Sequence, residues 1–295
     1  MQQSRRSFVQ LASAVAVSAG APSLLGEFPA NKHIPLGVQL YTVRNELKDN
    51  LPGTLAAIKK IGYDMVEPYS GMYTRPAKEL RAVIADAGLA VLSAHFTYDT
   101  LESMQEYAHD LGVRYMVCAM IPKPAQNRSG FLQAAAEFNK VGTSTKAMNI
   151  KLCFHNHNFE FKPQPATPGK ETSSTDETGL ALLLNHTDPA LVSWEEDCYW
   201  VAQSGNDPLA LLRKYKNRVD MLHLKDRKPD ATNTFEPGKQ SQFFTEIGTG
   251  TIDWAPIVKI AESSGKLMFV EQDTTTTPAL ESLAISYKNL RKYVA

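Results

Sequence analysis

The stretch 104–118, MQEYAHDLGVRYMVC, decides the fold class, because an amphipathic helix and a β-strand meet in it across one glycine. Ala108 and Leu111 lie at helical spacing, Gly112 supplies the left-handed residue that commonly ends a helix, and residues 115–118 are an apolar run typical of a buried strand. The same order of helix, glycine and strand recurs at Gly62, Gly88 and Gly265. Helices that alternate with strands in this way predict a parallel sheet.

From Ile34 onward the sequence contains eight strand-like runs, at 35–41, 64–67, 89–93, 115–118, 151–155, 191–195, 219–224 and 266–271. Eight βα units, in a chain near the roughly 250 residues typical of such barrels, favour a closed barrel over an open sheet. No GxGxxG motif follows the first run, which argues against a dinucleotide-binding sheet. We therefore predict an α/β protein, a single-domain (β/α)8 TIM barrel over residues 27–295, with 162–178 and 226–250 as loops over its C-terminal mouth.

The first 26 residues differ in kind from the rest. Arg5 and Arg6 precede a mildly apolar, Ala/Ser/Val-rich segment from Leu11 to Ala21, which is typical of a twin-arginine export signal and too short to span a bilayer. The alternative is a disordered basic tail. We predict a signal peptide over residues 1–26 and an exported, periplasmic mature protein.

Composition narrows the class of partner. Lys+Arg and Asp+Glu are balanced at 31 each, so nothing indicates binding to nucleic acid or to an anionic membrane. Cys118, Cys153 and Cys198 lie outside any CxxC spacing, which favours core positions over a disulfide framework or a thiolate metal site. We expect a small-molecule carbohydrate substrate, no nucleic acid and no membrane for the mature form, and both a monomer and a homo-oligomer stay open.

Polar and ionisable side chains collect at the C-terminal ends of the predicted strands. They are Gln39, Glu67, His95, His155, His157, Glu160, the run 195–197, His223, Lys225 and Glu271. Strand ends of a barrel converge on one mouth, so we expect these side chains to meet there. Carboxylates and imidazoles without cysteine suit one divalent ion, Mn²⁺, Mg²⁺, Co²⁺ or Zn²⁺.

Four segments carry a resemblance to a known family: 155–161 (HNHNFEF), 196–200 (EDCYW), 223–226 (HLKD) and 269–271 (FVE). They resemble the successive strand-end motifs of the xylose isomerase-like TIM barrels, the sugar phosphate isomerase/epimerase superfamily. The resemblance implies one metal ion held by a carboxylate after strand five, an Asp after strand six, a His after strand seven and a Glu after strand eight. On this chain those ligands would be Glu160, Asp197, His223 and Glu271.

One departure from the family pattern concerns strand five. The epimerase branch has Glu-Asn-His where this chain has His155-Asn156-His157, so the ligand is either His155 or Glu160, and we favour Glu160. The change departs from the two-glutamate proton shuttle of the epimerases. It resembles the branch that contains dehydratase-like members.

The resemblance also implies a chemistry, proton transfer next to a carbonyl that the metal polarises. We expect Glu271, Glu160 and His157 to act in proton transfer and Lys225 to stabilise the developing oxyanion. Substrate contacts are expected from Gln39, Glu67, His95, His155 and Trp200. Structural alternatives are a Lys225–Asp226 salt bridge, packing of Trp200, and orientation of the ligands by His95 and His157.

Three functions compete. The leading hypothesis is a metal-dependent isomerase or epimerase of a small unphosphorylated carbohydrate. The alternative is a lyase, dehydratase or hydrolase of a 3-keto-sugar, which the His155 departure and the predicted export favour. A non-catalytic carbohydrate-binding barrel is the third.

Overall fold

The computed structural model describes residues 34–167, 169–170, 173, 176–239 and 243–294. From Ile34 onward the chain forms one compact unit. The predicted signal peptide, residues 1–26, lies outside the described residues. Within the described part, no helix combines the length and the apolar character needed to cross a membrane.

The strands are β1 (Gly37–Gln39), β2 (Met65–Glu67), β3 (Ala90–Val91), β4 (Ser93–Phe96), β5 (Tyr115–Cys118), β6 (Lys151–His155), β7 (Val192–Asp197), β8 (Val219–Leu224), β9 (Asp226–Arg227), β10 (Phe244–Thr245) and β11 (Leu267–Val270). The helices are α1 (Arg44–Asp49), α2 (Leu51–Ile61), α3 (Ala77–Asp86), α4 (Gln105–Leu111), α5 (Arg128–Ala147), α6 (Gly179–His186), α7 (Cys198–Gln203), α8 (Pro208–Lys214), α9 (Trp254–Ser263) and α10 (Ala279–Leu290). Their alternation along the chain is the one that the sequence predicts.

Among the described residues, nine strands form a parallel sheet in the order β3-β2-β1-β11-β8-β7-β6-β5-β4. The two strands at its ends, β3 and β4, are consecutive pieces of one segment separated by Leu92, so the order runs once around a barrel. The backbone N–H of His95 in β4 donates to the carbonyl of Pro68, just after β2, at 2.8 Å. The prediction of a (β/α)8 barrel is confirmed, with its third strand split in two.

The strand boundaries match the sequence prediction closely where an apolar run is uninterrupted, as in β5, β6 and β8. The predicted run 191–195 instead continues to Asp197, and the third strand continues to Phe96, which places His95 inside it. Gly62 and Gly112 follow α2 and α4 with φ of 123° and 84°, the positive values predicted for helix-ending glycines.

Side chains that point into the barrel form two layers of different chemistry, because successive residues of a strand point to opposite faces. The lower layer is apolar and consists of Met65, Val117, Cys153, Met221 and Phe269. At Gly37 a Cβ atom would collide with the ring of Phe269, so glycine leaves room for that ring. The upper layer lies two residues further along the strands, and its side chains are Gln39, Glu67, His95, His155, Glu195, His223 and Glu271.

The three cysteines are buried and free, as predicted for core residues. The two predicted mouth loops are closed at their bases. Residues Pro163 and Thr178 form an antiparallel bridge, and β9 pairs with β10. The buried carboxylate of Asp226 accepts hydrogen bonds from the backbone N–H groups of Gly248, Gly250 and Ile252 and from the Trp254 indole.

Candidate active site

The inner cluster, defined as Glu67, His95, His155, Glu195 and His223, lies directly above the apolar layer. Oε2 of Glu195 is 2.8 Å from Nε2 of His95, 3.0 Å from Nδ1 of His155 and 3.3 Å from Nε2 of His223. Oε2 of Glu67 is 2.7 Å from Nε2 of His223 and 3.1 Å from Nε2 of His95. All five residues are buried.

In the inner cluster, burial shifts the pKa of a side chain in one direction and its oppositely charged neighbours shift it in the other. Burial by itself would raise the pKa of Glu67, but His95 and His223 outweigh it and hold the pKa below its usual range. Burial would likewise lower the pKa of His95, yet Glu67 and Glu195 raise it to about 9. The two carboxylates, His95 and His223 therefore stabilise each other's charged forms inside the barrel. His155 differs, because burial, followed by the nearby His223, lowers its pKa.

The outer cluster, defined as Asp197, His223, Lys225, Glu271 and Asp273, lies nearer the mouth and shares His223 with the inner one. Nζ of Lys225 is 2.6 Å from Oε2 of Glu271, 2.7 Å from Oδ1 of Asp273 and 2.9 Å from Oδ2 of Asp197. Nδ1 of His223 is 3.1 Å from Oε2 of Glu271. Burial raises the pKa of Asp197 to about 6, against the lowering effect of Lys225.

Two sets of side chains could hold a metal ion, because their potential ligand atoms lie within 4.8 Å of one another. One set is Asp197, His223 and Glu271, and the other is His95, His155, Glu195 and His223. Nε2 of His155 also lies 3.5 Å from Oδ2 of Asp197. Buried carboxylates and imidazoles without a thiolate fit a divalent cation of the kind that the sequence predicts.

A cleft of about 290 Å³ opens above the two clusters. Its lining residues are Gln39, Tyr41, Tyr69, Ser70, His95, Ala119, Met120, His155, His157, Lys225, Glu271 and Asp273. The volume is at the small end for ligand pockets and suits a small molecule. Ionisable groups line its inner part, whereas Tyr41 and Met120 are 39% and 41% exposed.

His157 stands on the cleft wall beside both clusters. Its Nδ1 is buried and has no hydrogen-bond partner among the described residues. Burial, followed by the nearby Lys225 ammonium, lowers the pKa of His157 to about 3. The imidazole is therefore neutral at ordinary pH.

The structure places Glu160 outside both clusters, although the sequence analysis favours it as the strand-five ligand. The residue lies in a 3-10 turn after β6, and its Oε2 accepts a hydrogen bond from the backbone N–H of His157 at 2.9 Å. This bond turns the carboxylate back onto its own loop, and burial raises its pKa to about 8. At the end of β6 it is His155 that reaches the clusters.

Two residues expected to contact the substrate do not line the cleft. Glu67 is fully buried beneath the cleft and accepts a hydrogen bond from the Ser93 hydroxyl. Trp200 is 2% exposed, because α7 begins directly after Asp197 and turns the indole toward Tyr199 and Phe244. Among the other expected contacts, Gln39, His95 and His155 do line the cleft.

Neither predicted mouth loop contributes a described residue to the cleft lining. The 226–250 stretch instead contributes Phe244, which covers one side of Lys225. The Lys225 ammonium lies 5.6 Å from the centre of the Trp200 ring and 5.9 Å from that of Phe244, which belongs to β10. These contacts keep the ammonium away from water on that side.

Sequence reasoning placed Glu195 at the mouth, within the run 195–197, but assigned it no metal-binding or catalytic role. A signal was available, since Glu195 precedes Asp197 by two residues on one strand and must share its face. Sequence reasoning missed Tyr69 and Met120. They lie in segments after β2 and β5, where no periodicity indicates which side chain faces the cleft.

The sequence is similar to a family of barrels and to several enzymes that act on sugars or polyols. The family model for xylose isomerase-like TIM barrels matches residues 55–292. The inosose dehydratase of Clostridium tetani (strain Massachusetts / E88) is 29% identical over 203 residues, which cover 65% of this chain and 64% of the relative. The chain spans a smaller share, 51% and 55%, of two other Clostridium inosose dehydratases.

Solved structures share the architecture. The sugar phosphate isomerase/epimerase from Parabacteroides distasonis ATCC 8503 superposes with a TM-score of 0.74 and 25% identity, over 90% of this chain and 100% of that one. The IOLI protein with a bound zinc atom has a TM-score of 0.64 and 14% identity, over 88% and 98% of the two chains, a likeness of fold alone. Since the family model spans most of the sequence and the barrel has the same architecture, the chain belongs to the xylose isomerase-like TIM barrel family.

Proposed function

We propose that the chain is a metal-dependent lyase that eliminates water or an alcohol from a small, unphosphorylated keto-sugar or keto-polyol. The observation that carries this proposal is the meeting, in one cleft, of a neutral imidazole, His157, with the ammonium and carboxylates of the outer cluster. Relatives named inosose dehydratase favour elimination over isomerisation.

The outer cluster is the proposed place of the catalytic metal. Asp197, His223 and Glu271 would hold it, with the His155 ring beside Asp197. Nδ1 of His223 faces this cluster, while its Nε2 faces Glu67 and Glu195. A divalent cation there would polarise the substrate carbonyl and so acidify the neighbouring C–H group.

His157 and Lys225 carry out the proton transfer and the charge stabilisation that the elimination requires. His157 takes the proton from the carbon next to the carbonyl, and the electron pair of that C–H bond passes into the enolate. The Lys225 ammonium stabilises the negative charge that develops on oxygen. As the enolate collapses, the C–O bond at the β-carbon breaks, and the leaving oxygen takes back the proton from His157 to depart as water or an alcohol.

The cleft favours an unphosphorylated substrate. Among the described residues that line it, Lys225 is the one with an ammonium or guanidinium group, and three carboxylates already pair with it. A phosphate group would require donors or cations that are free to bind it. Tyr41 and Tyr69, whose rings meet edge to face at 5.4 Å, offer apolar surface at the outer rim instead.

An isomerase or epimerase is the second candidate, favoured by the similarity to the Parabacteroides distasonis structure. In the epimerase branch two metal-bound glutamates shuttle the proton, as the family resemblance implies. This chain has His155 at the strand-five position, and Glu160 lies outside both clusters. One of the two glutamates is therefore missing, which favours the lyase.

One experiment separates the candidates. The purified protein, supplied with Mn²⁺, is incubated with a 3-keto-glucoside, with a keto-inositol and with free ketoses, and the products are followed by NMR. We expect release of the alcohol or of water, and a loss of at least about 100-fold in rate for His157→Gln, since positioned acid–base groups contribute on this scale. The exposed His109 gives the matched control, because His109→Gln leaves the site intact.

Interconversion of free ketoses without cleavage would assign the chain to the isomerases. Tight carbohydrate binding without any turnover by the parent protein would assign it to the non-catalytic barrels. Retained turnover in His157→Gln would remove that residue from the mechanism.

We also propose export to the periplasm, supported by Arg5 and Arg6 before the apolar segment 11–21. Cell fractionation of the parent and of the double variant Arg5→Lys, Arg6→Lys tests this. We expect the parent in the periplasmic fraction and the variant in the cytoplasm. Equal distribution of both would leave the paired arginines without a role in targeting.

A further inference from the structure

We infer that a second pocket, next to the active-site cleft, binds a carboxylate of the leaving alcohol. The preferred substrate would then be a keto-glycoside whose aglycone carries a negative charge on an apolar stem. The inference rests on the proposed elimination, and it names the chemical class of the group that this reaction releases.

The second pocket has a volume of about 190 Å³ and shares Tyr69 with the cleft. Residues of α1 and of the 3-10 turn at Ser70–Met72 line it. Its cationic side chains are Arg44, Lys48 and Arg75, and we call it the basic pocket. A ligand in the cleft therefore reaches the basic pocket by extending past Tyr69.

Positive charge is unbalanced in the basic pocket. Lys+Arg and Asp+Glu number 31 each in the whole chain, yet no carboxylate of a described residue lines this pocket. Within the described ranges, Arg44, Lys48 and Arg75 form no ion pair, whereas Lys225 in the cleft pairs with three carboxylates. An anion between the three cations would be attracted by all of them and would relieve their mutual repulsion.

Arg44 is held at the boundary between the cleft and the basic pocket. Its Nη1 donates hydrogen bonds to the carbonyls of Tyr41 at 2.8 Å and of Asp273 at 3.0 Å, and its guanidinium carbon lies 4.2 Å from the centre of the Tyr41 ring. Tyr41 and Asp273 both line the cleft. Nε and Nη2 of Arg44 donate to no described residue, so a guanidinium that is already fixed in place keeps N–H groups for a carboxylate.

Part of the lining of the basic pocket is apolar. Leu47 and Leu80 are buried, and Leu51 and Met72 are partly buried against the core. A bare inorganic anion would lose hydration beside these side chains without gaining apolar contact, whereas an anion on an apolar stem gains both kinds of contact. The tyrosine ring that the pocket shares with the cleft suits an aromatic stem.

Two glycosides that differ in charge test the inference. They are the 3-keto-glucosides of 4-hydroxyphenylacetate and of its amide, in which a methylene group insulates the phenol oxygen, so that the two leaving groups have similar acidity. We expect the Mn²⁺-loaded parent to favour the acid by about tenfold in kcat/KM. In the double variant Lys48→Gln, Arg75→Gln we expect a ratio of about two or less, because two of the three charges are lost. Added KCl lowers the ratio in the parent, since salt screens exposed charges.

The control removes the same total charge outside the basic pocket. Lys78 and Lys140 are exposed and form surface ion pairs with Asp110 and Glu102. The double variant Lys78→Gln, Lys140→Gln keeps the tenfold preference for the acid. Both residues changed in the test variant are exposed as well, so we expect it to fold.

A titration without turnover separates the basic pocket from the elimination. Isothermal titration with free 4-hydroxyphenylacetate should show saturable binding to the parent and binding at least about fivefold weaker to the Lys48→Gln, Arg75→Gln variant. Equal binding to both proteins would place the acid elsewhere, on Lys225 or on the metal, and overturn the inference.

The remaining outcomes are distinct for the two proposals. Equal turnover of the two glycosides by the parent, or an unchanged ratio in the test variant, would overturn the inference and leave the elimination standing. No turnover of either glycoside, with binding of the free acid that depends on Lys48 and Arg75, would overturn the elimination and leave the carboxylate site standing. Preferential turnover of a ketose phosphate that depends on the same two residues would assign the pocket to a phosphate on the sugar and overturn its assignment to the leaving alcohol.

Discussion

Nζ of Lys225 lies 2.6 Å from Oε2 of Glu271, so the ammonium already occupies one side of a carboxylate that is proposed to bind a metal ion. The same ammonium reaches Asp197 at 2.9 Å. Lysine and metal would therefore compete electrostatically for the same two oxygens, while the proposed reaction requires both, because it builds negative charge on the substrate.

Removal of this lysine has opposite effects on metal binding and on turnover. In Lys225→Met we expect Mn²⁺ to bind more tightly, by about tenfold, because one positive charge next to the ligands is lost. Turnover falls by about 100-fold or more, since the oxyanion loses its stabilising charge. Isothermal titration with Mn²⁺ and steady-state kinetics measure the two effects.

Lys151→Met, which removes a lysine paired with Asp220 at 2.8 Å, is the control. Weaker Mn²⁺ binding in Lys225→Met would contradict the competition.

The metal proposed for the outer cluster stabilises the fold by mass action. A ligand present at 100 times its Kd adds about 2.7 kcal/mol to the free energy of unfolding. We expect a higher Tm for the parent when Mn²⁺ is added after treatment with EDTA, and a smaller rise for Asp197→Asn. Differential scanning calorimetry with and without the metal measures the rise. An Asp197→Asn variant with the full response would place the ion elsewhere.

The buried Glu160 makes stability depend on pH. Its pKa is raised by burial to about 8 from an ordinary value of 4.5, so the folded state holds a proton that the unfolded chain releases between these values. The contribution of Glu160 to stability is then greatest below pH 4.5 and falls by on the order of 1 kcal/mol per pH unit as the pH rises toward 8. Gln cannot ionise, so Glu160→Gln gains stability relative to the parent across this window.

Urea unfolding at pH 5 and at pH 8 tests this dependence on Glu160. We expect Glu160→Gln to match the parent closely at pH 5 and to exceed it at pH 8. Glu102→Gln, at an exposed residue, is the control and should show no such difference. An equal effect of Glu160→Gln at both values would show that the folded protein keeps this carboxyl ionised.

Asp226 anchors the segment that covers Lys225. Its two oxygens accept hydrogen bonds from Gly248, Gly250, Ile252 and Trp254, and Asn offers one oxygen fewer. We expect Asp226→Asn to cost about 2–4 kcal/mol in the free energy of unfolding, because buried N–H donors lose a charged acceptor. Chemical denaturation measures the cost, with Asp220→Asn at the Lys151 pair as control. A loss below 1 kcal/mol in the free energy of unfolding would mean that water replaces the lost acceptor.

The fold could be predicted from the sequence because its signals are local. A helix face, a glycine of positive φ and an apolar run all lie within about fifteen residues, and they recur around the barrel. The split third strand could not be predicted, since the break at Leu92 follows from closure of the sheet between β2 and β5. Closure is a property of the whole barrel rather than of one segment.

The sequence by itself determined most of the ionisable side chains near the mouth. In β2, β6, β8 and β11 an apolar residue is followed, two positions later, by an ionisable one on the same face, as in Cys153 and His155. Only the tertiary structure decided how they divide into two clusters, and that Glu160 belongs to neither. A turn after β6 directs Glu160 to the N–H of His157. Contacts such as that between Glu67 and His223, 156 residues apart, depend on the closed sheet, and no local pattern encodes them.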